Sequence, residues 1–368
     1  MKVLLIAGAR PNFMKIAPLV HQLQANGAGF EWRFVHTGQH YDYELSKVFL
    51  EDLDIVEPHY FLGAGSGTHA EQTARIMMEF ENVCLSEHPD VVVVVGDVNS
   101  TLACSVTAKK LLVKVAHVEA GLRSRDMTMP EEINRIVTDS IADYLFVTEK
   151  SGIKNLEKEG RDERSIFFVG NIMIDTLFYC LRKLHHRQIG GATRLESQQA
   201  TEAPYAVVTL HRPSNVDERQ TLEGILEALR EISKDMIVYF PIHPRTKKNI
   251  ERFKLNRLLE DSNVNTSSSL PYLDFLHLWK DAALVLTDSG GLQEETTALG
   301  IPCFTIRDNT ERPVTIDEGT NILVGTTGQG ILAAYKRFKA GERKTGKIPE
   351  LWDGKTAVRI VKVLTAGR

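Results

Sequence analysis

Cysteine is scarce in this chain: Cys84, Cys104, Cys180 and Cys303 are the only four in 368 residues, and no CxxC pair occurs among them. Zinc-ribbon and thiol-redox classes therefore have nothing to stand on, and reduced thiols are expected. An excess of positive charge is also missing. The 44 Lys and Arg face 48 Asp and Glu, for a net charge of −4. A general nucleic-acid binder needs a basic face, so no nucleic-acid partner is expected, although a few local cations would still serve a small anion. Long apolar runs are absent too. "VLLIA" at 3–7 ends at Gly8, too short for a signal or a membrane span. A soluble, cytoplasmic protein with no membrane partner is the expectation.

Short β-branched runs do recur. "KVLLIAG", "WRFVHTG", "VVVVVGD", "KVAHVEAG", "YLFVTE" and "IFFVGN" read as strands of a first half. Several are apolar on both faces, as parallel strands covered by helices must be. "TARIMMEFENVCLSEH" supplies an intervening helix. The pattern pauses after residue 171, and the polar stretch at 188–204 reads as an exposed excursion near a domain junction. It restarts with "YAVVTLH", "MIVYFPIH", "ALVLTD", "PCFTI" and "NILVG". The expected fold class is α/β, with two Rossmann-like doubly wound domains at 1–170 and 171–352 and a ligand cleft between them. In such sheets ligands gather at the carboxyl ends of the strands.

Strand-end residues are therefore the candidates. The first strand leads into Gly8, Arg10, Pro11 and Lys15, which suit an anion site, though solvated surface cations would look the same. The third ends at Asp97, which could equally cap a helix. The fourth ends at Glu119, where a carboxylate beside a buried strand must be paired. Glu131 has an ordinary explanation: Thr128-x-x-Glu131 fits a capping box, and Glu131 with Arg135 fits an i,i+4 ion pair. In the second half His211 and His243 end successive strands, and either could be a satisfied structural histidine. "DSGGLQEE" places Ser289, Gly290 and Gly291 at a helix start open to phosphate, with Glu295 a turn further on. Arg312 in "NTERPVT" is a further candidate for a phosphate cation. The glycine cluster "GAGSG" at 63–67 lacks a strand–turn–helix frame and reads as a mobile loop. Carboxylates facing a diphosphate-sized cluster of cations suit proton transfer on a nucleotide-linked substrate.

"GARPNFMKIAP", "TGQH", "VGDVNST", "HVEAGLRS", "PEEINR", "VTLHRPSN", "DSGGLQEE" and "RDNTERP" occur in this order, and together they resemble the non-hydrolysing UDP-N-acetylglucosamine 2-epimerases. The resemblance runs from residue 3 to about 325. It implies a GT-B-type fold in which the last helix, near 353–368, packs back on the first domain. It further implies a homodimer that interconverts UDP-GlcNAc and UDP-ManNAc with no metal and no cofactor. Asp97, Glu119 and Glu131 would be the acid/base carboxylates, and His211 would assist near the leaving group. Arg10 and Lys15 would contact substrate and phosphates, with Arg135 and His243 also on the substrate side. Ser289, Gly290, Gly291 and Arg312 would hold the diphosphate, Glu295 the ribose, and Phe275 the uracil. Two departures stand out. Pro213-Ser214 interrupt the usual HRxEN. Asp42 stands where glutamine is usual after the matching Gln39-His40, and there is no clear arginine counterpart near Ser66. A hydrolysing 2-epimerase, an epimerase of a modified UDP-GlcNAc, a GT-B glycosyltransferase and a nucleotide-sugar sensor share parts of this pattern.

Overall fold

The computed structural model describes residues 1–25, 29–38, 49–189, 203–260 and 262–366, without the side chains of Arg10 and of 187–189. Gln39, His40, Asp42 and residues 190–202 of the polar excursion lie outside the described residues. The chain divides into two compact units, Met1–Tyr179 with Glu350–Arg368, and Cys180–Pro349.

The first unit holds a parallel sheet in the order β3-β2-β1-β4-β5-β6-β7. Its strands are β1 (Lys2–Ala7), β2 (Glu31–His36), β3 (Tyr60–Phe61), β4 (Val91–Val95), β5 (Lys114–Ala120), β6 (Tyr144–Val147) and β7 (Ile166–Phe168). All five valines of β4 are buried, because helices cover both faces of the sheet. The second unit repeats the plan in the order β10-β9-β8-β11-β12-β13. These are β8 (Tyr205–Thr209), β9 (Ile237–Ile242), β10 (Val264–Ser268), β11 (Leu284–Thr287), β12 (Cys303–Thr305) and β13 (Asn321–Leu323). Both units are thus Rossmann-like. Every strand expected from the sequence is present, and two further ones are edge strands. β3 has only two residues, and the "VNTSS" of β10 is exposed from its second residue on, so neither carries an apolar period.

Each sheet reverses its strand order once, between β1 and β4 in the first unit and between β8 and β11 in the second. Those reversals leave crevices at the carboxyl ends, where ligands collect. The division between units falls inside helix Ile172–Ile189 rather than at residue 170. The start of that helix is fastened to the first unit: Thr176 donates to the Met14 carbonyl at 2.5 Å. Asp175 accepts from the Thr356 and Ala357 amides at 3.0 and 2.8 Å, capping the helix Thr356–Ala366, which packs on helix Arg10–Ala25. Trp352 is buried and donates from Nε1 to the Thr148 carbonyl.

Asp175→Ala should therefore leave two helix-start amides without their acceptor. A loss of about 1–2 kcal/mol is expected, read as a lower urea midpoint for the first unit.

Candidate active site

The first unit's crevice is built around Glu119. This residue lies within β5, where the register with β6 shifts between Val118 and Ala120, and its φ is +73°. A non-glycine residue in that region is strained by about 1–3 kcal/mol and persists only where its surroundings fix it. The side chain is 3% exposed. Oε2 is hydrogen-bonded to Lys15 Nζ, while Oε1 is buried with no hydrogen-bond partner among the described residues. Lys15 arrives from helix Arg10–Ala25, whose start is fixed by Asn12. Its Oδ1 accepts from the Gly8 and Ala9 amides, and its Nδ2 donates to the Val95 carbonyl. Gly96 keeps the pair possible, since a Cβ there would lie 2.8 Å from Lys15 Nζ.

Asp97 does not cap a helix. The N-cap of helix Asn99–Lys110 is Val98, and Asp97 Oδ2 pairs with Arg135 Nη1 at 2.5 Å. Arg135 is 2% exposed and also binds Glu132 Oε2 at 2.6 Å, so it orders carboxylates. The ordinary explanation for Glu131 fails as well. Helix Pro130–Ile141 has Met129 as N-cap with no side-chain cap, and the Thr128 hydroxyl turns instead to Asp126 at 2.6 Å. Arg135 pairs with Glu132 rather than Glu131 because Glu132 faces inward. There it also accepts from the Ser124 and Arg125 amides at 2.9 and 2.8 Å. Burial alone would raise the Glu132 carboxyl, but the Ser124 amide, Arg135 and the Arg125 amide together hold it below the ordinary range. The half-buried Glu131 side chain has no hydrogen bond or ion pair among the described residues. The structural role belongs to Glu132 and leaves Glu131 available. Of Arg10 only the backbone, at the helix start, is described.

In the second unit the crevice is organised by Asp288, which is fully buried at the end of β11. It accepts from the His211 and Arg212 amides at 3.0 and 2.9 Å, from Asn215 Nδ2 at 3.0 Å, and lies 3.0 Å from His211 Nδ1. Burial would raise its carboxyl. The His211 ring and these amides outweigh that and hold it low. The His211 ring is orientated but stays 41% exposed. Pro213 begins a short helix in which Ser214 is exposed and Asn215 is buried, so the departure at 213–214 leaves the Asn215 anchor in place. His243 caps helix Pro244–Phe253 by accepting from the Arg245 amide, with its ring 5.8 Å from that of His211.

Helix Gly290–Leu299 starts at Ser289 without a side-chain cap. A Cβ on Gly290 would lie 2.7 Å from Arg312 Nη1, so glycine admits the guanidinium to the helix start. Arg312 pairs with Glu311 and with Glu294 Oε1 at 2.8 Å. Arg307 Nη2 binds Glu311 Oε2 at 2.7 Å, and Arg212 Nη2 stands 3.7 Å from Glu311 Oε1. Burial would raise the Glu311 carboxyl, but Arg312, Arg307 and Arg212 hold it far below the ordinary range. Three guanidinium groups beside an uncapped helix start have the chemistry that suits a multiply charged anion. Glu295 is nearly buried and accepts from the Tyr272 hydroxyl at 2.5 Å; Phe275 is half-buried on the same helix as Tyr272.

Sequence reasoning placed Arg212 at a strand end without a role and missed Glu311, Arg307 and Tyr272. The charge density of "RDNTERP" and the strand-end position of Arg212 were the available signals. The "GAGSG" segment is tied down: the Ala64 and Gly65 amides donate to the Thr37 and Gly38 carbonyls, and Arg75 reaches the carbonyls of Ala64 and Ser66. An arginine thus stands near Ser66 in space, supplied by helix His69–Glu87.

A family model described as UDP-N-acetylglucosamine 2-epimerase matches residues 21–365. The chain is 42% identical to the UDP-N-acetylglucosamine 2-epimerase of Methanocaldococcus jannaschii over 100% of both. It is 44% identical to the UDP-2,3-diacetamido-2,3-dideoxy-D-glucuronate 2-epimerase of Pseudomonas aeruginosa, over 91% of this chain and 92% of that one. Among solved structures, that of the M. jannaschii UDP-GlcNAc 2-epimerase in complex with UDP-GlcNAc and UDP matches with a TM-score of 0.89 at 42% identity, covering 100% of each chain.

Glu295 gives a pH prediction. Burial pushes its carboxyl up to about 8 from an ordinary 4.5, with the Tyr272 bond offsetting only part of the rise. Between those values the folded state holds a proton that the unfolded state has released. The stability this contributes is complete below about 4.5 and is lost as pH rises through about 8, at up to about 1.4 kcal/mol per pH unit. Thermal unfolding of ligand-free Glu295→Gln from pH 5 to 9 should show a flatter profile than wild type. Parallel profiles would contradict the assignment.

Proposed function

The chain belongs to the UDP-N-acetylglucosamine 2-epimerase family, and on that footing we propose that it interconverts UDP-GlcNAc and UDP-ManNAc without hydrolysing either. The observation that carries the reading is Glu119: strained, buried, held by Lys15 through one oxygen, with the other unpartnered among the described residues. Such a carboxylate is costly unless it has work to do.

The C2 proton of the sugar is not acidic enough for direct removal. The proposed first step therefore breaks the C2–H and C1–O bonds and forms a C1=C2 bond. The proton passes to a carboxylate among Asp97, Glu119 and Glu131, and UDP departs with the electron pair of the C1–O bond. The enzyme-bound 2-acetamidoglucal then takes UDP back at C1 and a proton at C2 on the opposite face. The acid and base roles are assigned to these three carboxylates as a set. Arg312, Arg307 and Arg212, with the amides at Ser289, Gly290 and Gly291, would stabilise the departing diphosphate, where negative charge grows. His211, orientated by Asp288, would serve the leaving oxygen. A protonated Glu295 could both donate to and accept from a ribose hydroxyl, and Phe275 would cover the uracil. Arg10, Lys15 and His243 are assigned to the sugar and phosphates, Arg135 to holding Asp97.

The similarity to the P. aeruginosa enzyme favours one second reading, in which the native sugar carries a second acetamido group and a C6 carboxylate. A higher kcat/KM on that sugar would transfer the assignment while leaving the chemistry unchanged.

Incubation with UDP-GlcNAc in D2O, followed by proton NMR, tests the main reading. Deuterium should enter at C2 while UDP-ManNAc accumulates. Free UDP with ManNAc would point to hydrolysis, and an unchanged spectrum would refute 2-epimerase activity on this substrate. Glu131→Gln should lower kcat by at least about a hundredfold. Because the Glu131 side chain has no partner to lose among the described residues, stability should stay within about 0.5 kcal/mol of wild type.

A further inference from the structure

Below the first unit's carboxylates lies a buried, charged network that the proposed reaction does not use. His117 on β5 and Asp139 on helix Pro130–Ile141 are both 0% exposed. The His117 ring places Nδ1 2.6 Å from Asp139 Oδ1 and Nε2 2.8 Å from the Gly96 carbonyl. A carbonyl can only accept, so Nε2 carries a hydrogen. The other Asp139 oxygen accepts from the Gly121 amide at 3.0 Å and pairs with Arg123 Nη1 at 2.7 Å. Arg123 is itself held by Glu159, at 2.9 Å through Nε and 2.6 Å through Nη2.

The backbone groups gripped here are the ones that matter to the site. Gly96 immediately precedes Asp97, and Gly121 stands two residues after the strained Glu119. Asp139 rides on the helix whose first turns carry Glu131 and Arg135, the partner of Asp97. One network therefore joins the three elements that bear the candidate carboxylates. Burying these charges costs desolvation that apolar packing would avoid, so stability is a poor reason for the arrangement. A fully satisfied polar network does, however, fix geometry closely, and proton transfer loses rate steeply when its groups are misplaced by about 1 Å.

We propose that His117, Asp139 and Arg123 are positioning residues that hold Asp97, Glu119 and Glu131 in mutual register for proton transfer at C2. The proposal rests on the 2-epimerase reading above. Its test uses the full chain with two variants. Asp139→Asn keeps the shape and removes the charge; His117→Gln keeps a donor toward the Gly96 carbonyl and gives up the contact with Asp139. Both should lower kcat by about ten- to a hundredfold, with C2 deuterium exchange falling in step. KM for UDP-GlcNAc and Kd for UDP should stay within about twofold, because the proposed nucleotide contacts lie in the second unit. If Asp139→Asn does not fold, His117→Gln carries the same test. Wild-type kcat in either folded variant overturns the proposal. So does a joint loss of kcat, UDP affinity and thermal stability, which would mark a general structural role. If wild type leaves UDP-GlcNAc unchanged, the epimerase reading falls by itself. Hydrogen exchange then tests the network: faster exchange of the amides at 96–97 and 119–121 in Asp139→Asn supports it, and unaltered exchange overturns it.

Discussion

The first unit's site depends on one ion pair, Lys15 with Glu119. Neither side chain reaches water to any useful degree, so each charge needs the other, and removing either would leave a buried charge uncompensated at about 3–5 kcal/mol. The neighbouring features follow from that requirement. Asn12 fixes the helix start so that Lys15 is delivered to the crevice, and Gly96 leaves room for its ammonium group. The register shift in β5 lets Glu119 stand where a regular strand residue would have pointed into the sheet or away from it.

The second unit solves the inverse problem. Its cations are anchored by carboxylates: Arg212, Arg307 and Arg312 converge on Glu311, with Glu294 steadying Arg312 from the helix side. That neutralisation lets three guanidinium groups share a small volume without driving one another apart. Asp288 plays the corresponding part for His211, orientating the ring while leaving it open to solvent. In one unit a cation makes a carboxylate tolerable; in the other, carboxylates do this for cations.

Much of this could be read in the sequence. A strand buried on both faces reads as an unbroken apolar run, as in β4, so the polar residues near the carboxyl ends of such strands, Asp97, Glu119, His211 and Ser289, stand out as candidates by position, while the roles expected of them come from the resemblance. Edge strands escaped because their exposed residues carry no period, as β10 illustrates. The counter-ion network escaped for another reason. Glu311 and Arg212 are far apart along the chain, and a lone charged residue looks the same whether it is solvated or anchors three others. The adjacent Glu131 and Glu132 make the point most sharply. Sequence spacing offered the capping and pairing roles to Glu131, but helix phase turned its neighbour inward to take the ordering role.

The helix Thr356–Ala366 belongs to the first unit although it is made after the whole of the second. As the chain leaves the ribosome, Asp175 and the Thr148 carbonyl wait for their partners while Cys180–Pro349 is synthesised. The first unit is the earlier begun and the later finished. Its sheet can form early, but its final closure has to wait until the second unit has been made, so the second unit matures in the company of an incomplete neighbour.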